Sequence, residues 1–394
     1  MAIVELHTTG LAKGGDAVAR EASGRVVFVE GALGGERVEA EIVDERRDFA
    51  RARARRVLVA APERVEPPCP MVARGCGGCD LQHASLDAQR ALKVCIVQEG
   101  LARVAKLAAP PEIEVVALPA EGYRTTVHGV IEEGRFALRR RHSHDPVTIG
   151  HCLVLHRLLD EVVAEGRFGD ATEVTLRCGA RTGERLAVVT PSAEGVSLPD
   201  DVRVVGASEL RSGKRAWFHE QIADVTFRVS AESFFQARPD GAEALIDAVR
   251  ILSGDIDATT RVVDAYAGVG LFAATVARDA EVLAVERGAS SIADARVNLR
   301  GLRARIVRSD VERFRAVPAD LVIADPARAG LGRVAVERLA ATGAPRLVLV
   351  SCDPAAFARD VGLLAAAGFT LDRIVMVDLF GHTSHIELVS AFHR

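Results

Sequence analysis

Arg261-Val-Val-Asp264-Ala-Tyr-Ala-Gly268-Val-Gly270 is the stretch on which the fold turns. Its start is apolar and β-branched and reads as a buried strand; Gly268 and Gly270 then let the backbone turn tightly. Beyond it strand and helix alternate. A helix over Leu271 to Ala277 precedes the strand Glu281-Val-Leu-Ala-Val-Glu286. A helix over Ala289 to Leu299 precedes the strand Ala304-Arg-Ile-Val307, with Asp310 just past it, and Leu321-Val-Ile-Ala324 then ends in Asp325-Pro326. Leu347 to Val350 is a further strand, broken by Ser351-Cys352-Asp353-Pro354 and followed by a helix over Ala355 to Ala367. Strands over Leu371 to Val377 and His385 to Phe392 close the chain. With a helix over Ala242 to Leu252 in front, the pattern predicts a doubly wound α/β sheet over residues 231–394.

In such sheets ligands bind outside the carboxyl ends of the strands. A Gly-rich loop after the first strand and an acid closing the second is the layout of a nucleotide-type cofactor site. The loop lacks the later glycine of a dinucleotide fingerprint. An Asp at its start suits S-adenosylmethionine, which has no pyrophosphate but carries a charged amino-acid end. Glu286 would accept hydrogen bonds from the ribose hydroxyls, Asp310 would meet the adenine amino group, and Asp325 would lie near the reacting methyl. Each acid alone could be a helix cap; acids ending successive strands on one edge are not all explained that way. Cys352 is a lone thiol on a strand-to-helix turn at this edge. A cysteine in apolar surroundings is often a small core residue, but the turn position favours a nucleophile.

The chain has 394 residues, 49% apolar and 26% charged, enough for two or three domains. No apolar run is long enough for a bilayer, and Met1-Ala-Ile-Val-Glu-Leu-His-Thr is not a signal peptide, so a cytoplasmic protein without membrane contact is expected. In a reducing compartment its seven cysteines are metal ligands or catalysts rather than a disulfide framework. The net charge of −4 does not advertise nucleic-acid binding, but the arginines cluster: Arg46, Arg47, Arg51, Arg53, Arg55 and Arg56, then Arg139-Arg140-Arg141.

Residues 1–60 read as short strands, among them Arg25 to Glu30, Arg37 to Val43 and the Arg/Ala alternation of Ala50 to Ala60. That spacing predicts a small barrel of the oligonucleotide-binding kind, with RNA contact weighed against a solvated edge strand. The segment 61–230 reads as a β-rich central domain, with strands over Phe136 to Arg141, Glu173 to Cys178, Leu186 to Thr190 and Asp224 to Val229, and Trp217 expected in the interior. A helix over 86–107 is a candidate to pack on the catalytic domain. Cys69, Cys76 and Cys79 fall within eleven residues beside Gly75, Gly77 and Gly78, which is a ligand signal. Of the fourth-ligand candidates, Cys152 lies on a turn, whereas Cys95 and Cys178 read as core. Four thiolates suit zinc or an iron–sulfur cluster.

Taken together, these residues resemble the bacterial uridine-C5 RNA methyltransferases, nearly end to end. The barrel is similar to a TRAM domain. Cys69, Cys76, Cys79 and Cys152 match the ligands of a 4Fe–4S cluster, with zinc the less favoured metal. Ser233-Phe-Phe-Gln236 matches a signature whose Gln contacts S-adenosylmethionine, and Tyr266, Gly268, Glu286, Asp310 and Asp325 fall at cofactor positions. Ser351-Cys-Asp-Pro354 is similar to a Ser-Cys-Asn-Pro motif whose Cys is the nucleophile; His385-Ile-Glu387 is similar to a His-Val-Glu motif whose Glu is the base. The resemblance implies a monomeric enzyme that methylates carbon 5 of a uridine in tRNA or ribosomal RNA through a Cys352 adduct, with Glu387 as base. Departures are Asp353 for Asn, Ala327 for Pro, Arg238 for Asn, Ala267 for Cys, Thr125-Thr126 for Asn-Arg, and one extra residue between Cys69 and Cys76. Two other classes remain open: a non-catalytic RNA-binding protein keeping the fold, and a zinc-containing nucleic-acid-binding protein.

Overall fold

A computed structural model describes residues 2–394. The chain divides into two compact units: Met1–Glu99 with Arg140–Asp145 and Phe380–His385, and Gly100–Arg139 with Pro146–Leu379 and Ile386–Arg394. Among the described residues no helix is long and apolar enough to cross a membrane.

The first unit holds a closed five-stranded barrel, in the order Ile3–Leu11, Ala17–Arg20, Val26–Glu30, Phe49–Val59, Arg37–Glu45. Period-two alternation builds it. In Phe49–Val59 the small residues Ala50 and Ala52 point inward and are buried, while Arg51 and Arg53 point outward. Leu6, Ala17, Ala19, Val27, Val29 and Val38 fill the centre with them. The barrel was legible in the sequence, but its first two strands were not, because Thr8-Thr9-Gly10 interrupts one and the other is only four residues long.

The second unit carries three sheets. Six strands order as Val202–Gly206, Arg185–Thr190, Glu173–Cys178, Thr126–Glu132, Arg135–Arg139 and Pro146–Thr148, and Trp217–Ile222 pairs with Val225–Ser230. The third sheet has eight strands, ordered Ala304–Arg308, Glu281–Glu286, Arg261–Ala265, Leu321–Ala324, Arg346–Ser351, Leu388–His393, Thr370–Val377 and Ile113–Val116. The first five are mutually parallel and buried through the middle, as their continuous apolar runs require. Leu388–His393 enters antiparallel between Arg346–Ser351 and Thr370–Val377. This is the doubly wound α/β sheet that the sequence predicts. It also includes Ile113–Val116, a four-residue strand too short to register as a pattern, and a helix at Gly332–Ala340 that sequence reading passed over. The last strand starts at Leu388 rather than His385, so Glu387 stands just ahead of the ladder.

Candidate active site

Cys352 follows the strand Arg346–Ser351 and precedes the helix Pro354–Ala366. Asp353 caps that helix, its carboxylate accepting from the backbone N–H of Ala355 at 3.1 Å and of Ala356 at 2.9 Å. An N-cap needs a short side-chain oxygen, and Asp and Asn serve about equally. The Asp-for-Asn departure beside the thiol therefore keeps the group that shapes the turn. Asp353→Asn should leave thermal stability almost unchanged, whereas Asp353→Ala should cost roughly 1 kcal/mol, both read from denaturant midpoints.

The ladder brings the base candidate to the thiol. Ser351 pairs with Leu388 as the last step of the antiparallel ladder, Cys352 and Glu387 are the residues that follow on each side, and the charge of Glu387 acts on the thiol. Glu387 is buried, and its carbonyl accepts from the Val377 N–H at 2.9 Å, which fixes its backbone to the neighbouring strand. Asp325 completes the group from the end of Leu321–Ala324, where its N–H donates to the Ala265 carbonyl at 3.2 Å.

Burial and mutual repulsion govern the charges here. Burial pushes the Cys352 thiol up to about 12; the negative charges of Glu387 and Asp325 add to the shift, and Arg328 opposes it. Burial likewise raises Glu387 well above the ordinary carboxylate range, with Asp325 adding and Arg328 opposing. Asp325 is pushed up to about 7 by burial. Arg328 was not singled out from sequence; its signal was its place three residues past the strand-ending Asp325, on the turn that faces the thiol. At rest Cys352 is thus a thiol, and only thiolates react with alkylating agents. At pH 8 iodoacetamide should label the exposed Cys95 well before Cys352, as peptide mass spectrometry would resolve.

The loop after Arg261–Ala265 forms the neighbouring part of the same sheet edge. Asp264 is buried, and one of its oxygens accepts from the Ala273 N–H at 3.1 Å. Its other oxygen and the Tyr266 hydroxyl are buried with no hydrogen-bond partner among the described residues. Burial pushes the Asp264 carboxyl up to about 7, against the Ala273 N–H and with Asp325 and Glu286 adding. Tyr266 holds a left-handed backbone, φ 63°, a strained choice for an aromatic residue. Glu286 receives the N–H of Gly268 at 2.9 Å on one oxygen and that of Gly288 at 2.6 Å on the other, leaving a second lone pair on each. Asp310, past the strand Ala304–Arg308, is partly exposed and lies 3.9 Å from Arg287.

Gln236 is buried on the segment leading into the helix Pro239–Ser253. A polar hub fixes that segment. The fully buried Asp294 accepts from Ser233 Oγ at 2.6 Å, from Ser230 at its N–H and Oγ, both 2.8 Å, and from Arg228 Nε at 2.7 Å. Buried Arg177 donates to the Ser233 carbonyl at 2.6 Å. Arg238, where the family has Asn, is buried too. It pairs with Asp240, donates to the carbonyls of Pro119 and Leu379, and stacks on Tyr123 with 4.4 Å to the ring centroid. It braces the fold rather than opening onto the site.

The expected metal centre is not assembled. Among the described residues no three His, Cys, Asp or Glu side chains come together as a group able to hold a metal ion. Cys69, Cys76 and Cys79 lie on successive turns of the first unit, where the Cys76 N–H donates to the Met71 carbonyl at 3.0 Å. The space beside Gly75, expected to let the chain wrap an ion, is taken by the Arg140 guanidinium, which donates to the Arg74 carbonyl at 3.0 Å. Cys152, in the second unit, donates its N–H to Asp160 at 2.7 Å. The uracil-C5 methylation that the resemblance implies needs no electron transfer, so its chemistry does not depend on a cluster. Of the cysteines read as core, Cys178 is buried and Cys95 is exposed, because the helix Leu86–Arg103 turns that face outward. Trp217 is half-buried rather than interior.

The barrel arginines expected to grip RNA face carboxylates. Arg51 pairs with Asp16 at 3.1 Å, Arg53 with Glu30 at 3.2 Å, and Arg56 with Glu39 at 2.9 Å. Arg55 is likewise held to Glu41.

A doubly wound sheet whose carboxyl edge carries a glycine turn, a row of acids, a half-buried Cys352 and a buried Glu387 fits the class of methyltransferases. Residues 2–54 match the TRAM domain. The chain is 36% identical to an uncharacterized RNA methyltransferase of Streptomyces coelicolor, over 98% of this chain and 92% of that one. It is 31% identical to the 23S rRNA (uracil(1939)-C(5))-methyltransferase RlmD of Halomonas elongata, over 97% and 88%. Among solved structures, it matches the Pyrococcus abyssi tRNA (uracil-54, C5)-methyltransferase in complex with S-adenosyl-L-homocysteine with a TM-score of 0.76 and 25% identity, over 98% and 99% of the two chains. The chain belongs to the uracil-C5 RNA methyltransferase family.

Proposed function

We propose that this enzyme methylates carbon 5 of a uridine in tRNA or ribosomal RNA, with S-adenosylmethionine as methyl donor, Cys352 as nucleophile and Glu387 as base. The observation that supports the proposal is the register: the ladder ends at Ser351 and Leu388, so Cys352 and Glu387 both lie just beyond its last pair, at the edge that also holds Asp264, Glu286 and Asp325.

Carbon 5 of uracil is too weak a nucleophile to take a methyl unaided. The Cys352 thiol gives its proton to water as its sulfur adds to carbon 6; the 5,6 double-bond pair moves into an enolate whose nucleophilic end is carbon 5, which is covalent catalysis. Bound S-adenosylmethionine supplies the methyl on a positively charged sulfur. After transfer, carbon 5 carries both a hydrogen and the methyl. Glu387 removes that hydrogen, the electron pair re-forms the double bond, and the Cys352 sulfur leaves carbon 6. Glu387 acts from its deprotonated form, and burial raises the affinity of that form for the proton it takes. Arg328 is the cation that favours the Cys352 thiolate at the moment of attack.

The residues fit the cofactor. The unpartnered oxygen of Asp264 and hydroxyl of Tyr266 offer hydrogen bonds to a cationic, hydroxyl-bearing ligand, and Glu286 has lone pairs left for ribose hydroxyls. Gln236 and Asp310 are the further contacts proposed for it, and Gly268 gives it room, since nothing lies within 4 Å of where a side chain would begin. The target uridine cannot react while stacked and must be splayed out of its strand. The deciding experiment is incubation with methyl-labelled S-adenosylmethionine and total RNA, followed by mapping of the label. Label in 5-methyluridine at one site supports the proposal, and label in any other nucleoside overturns it.

A further inference from the structure

RNA must be held as well as modified, and the barrel arginines are largely offset by their own carboxylates. The second unit also carries arginines that are not offset, and one group of them is built around a packed aromatic ring. Residues 202–217 contain Arg203, Arg211, Lys214 and Arg215 against the single acid Glu209, a net charge of 4 − 1 = +3 in a chain whose total is −4. All four cations are exposed. Glu209 is engaged with Lys214 at 2.6 Å and with the Gly206 N–H at 2.8 Å. Among the described residues, no carboxylate lies at ion-pair distance from Arg203, Arg211 or Arg215.

These cations share one turn. The short helix Ala207–Arg211 ends where the Lys214 N–H returns to the Glu209 carbonyl at 3.0 Å, and the chain then enters the strand Trp217–Ile222. Arg203 reaches across from the strand Val202–Gly206 and donates to the Arg215 carbonyl at 3.1 Å. Its guanidinium lies over the Trp217 ring, 5.2 Å from the centroid, and Arg228 packs on the same ring at 5.6 Å. Trp217 is thereby occupied by arginines and is no platform for a base. What it does is hold the Arg203 fork in place, so that less side-chain freedom is lost when an anion binds.

We propose that Arg203, Arg211 and Arg215 form a contact for the sugar–phosphate backbone of the RNA, outside both the barrel and the reacting centre. Exposed cations without carboxylate partners, one of them preorganised, suit phosphate oxygens, and a ridge with no open aromatic face gives grip without reading bases. The inference rests on RNA being the substrate, as proposed above.

The test compares the full-length wild type with Arg203→Gln/Arg211→Gln/Arg215→Gln, measuring affinity for the methylated RNA across a salt series. Each phosphate contact contributes about 0.7–0.9 to the slope of log affinity against log salt, so the triple variant should have a slope shallower by about 2–3. KM for RNA should rise while kcat at saturating RNA stays at the wild-type value. Arg211→Gln/Arg215→Gln, which leaves the Trp217 packing alone, should show about two-thirds of the slope change. An unchanged slope in both variants, or a fall in kcat without a change in slope, overturns the ridge. If the wild type methylates no RNA, the proposed function fails first and takes the ridge with it; if it methylates RNA and the slopes do not move, the ridge alone fails.

Discussion

Replacing Cys352 with Ala should abolish methyl transfer, with a loss on the order of 10⁴-fold or more in kcat. The neighbouring groups cannot do what the sulfur does. Cys178 lies in the strand Glu173–Cys178 of another sheet and is buried, and its thiol is pushed far up by burial. The acids at the edge are poor nucleophiles toward carbon 6 and weigh against anionic attack by one another. A loss of that size corresponds to about 5 kcal/mol or more of transition-state stabilisation. Binding of S-adenosylmethionine should survive, because Asp264, Tyr266 and Glu286 do not depend on the thiol. Calorimetry on the variant would check that, and a labelling rate near that of the wild type would refute the nucleophile.

The resting state of Cys352 is the protonated one. Its thiol is raised to about 12 by burial and by the neighbouring carboxyl groups, so no thiolate pool exists to tune. The proton has to leave as the sulfur adds. The positive charge of Arg328 opposes the rise of the thiol and so favours the negative charge that the attacking sulfur gains.

Much of this site was legible without coordinates, for a physical reason. Parallel strands buried on both faces write themselves as apolar runs, and the edge residues that follow them stand out as the first polar or conformationally special positions. Asp264, Glu286, Asp325 and Cys352 are all of this kind. What could not be read was anything fixed by register or by partners distant in sequence. The placing of Cys352 and Glu387 just beyond the last pair of one ladder depends on Leu388–His393 slotting antiparallel between two strands, and no local pattern announces that insertion. The Asp294 hub gathers donors from 61 to 66 residues upstream. The barrel arginines looked free because their carboxylates sit on neighbouring strands, as with Glu39 opposite Arg56. The cysteine motif stands differently: spacing and glycines allow a cluster, while among the described residues no group of three side chains able to hold a metal ion comes together.

Glu387→Gln should separate the two halves of the reaction. Glutamine keeps the size of the side chain but cannot accept the proton from carbon 5, so sulfur addition and methyl transfer proceed and the final elimination stops. A covalent protein–RNA adduct carrying the methyl should accumulate to near stoichiometry, seen as a denaturation-resistant shifted band that wild type forms only transiently. Turnover without adduct in this variant would rule out Glu387 as the base. The same substitution has a second readout, and its sign is fixed by burial. Because the folded-state pKa of Glu387 is raised above the ordinary 4.5, the folded protein binds more protons than the unfolded chain over the interval that begins near that value. This group's contribution to stability is therefore complete in acid and is lost as pH rises through the folded-state pKa. Glutamine carries no such dependence. The variant should gain melting temperature relative to wild type at pH 8 and not at pH 5; an equal difference at both values would mean that Glu387 titrates normally and is not the shielded, proton-hungry carboxylate that a base at carbon 5 requires.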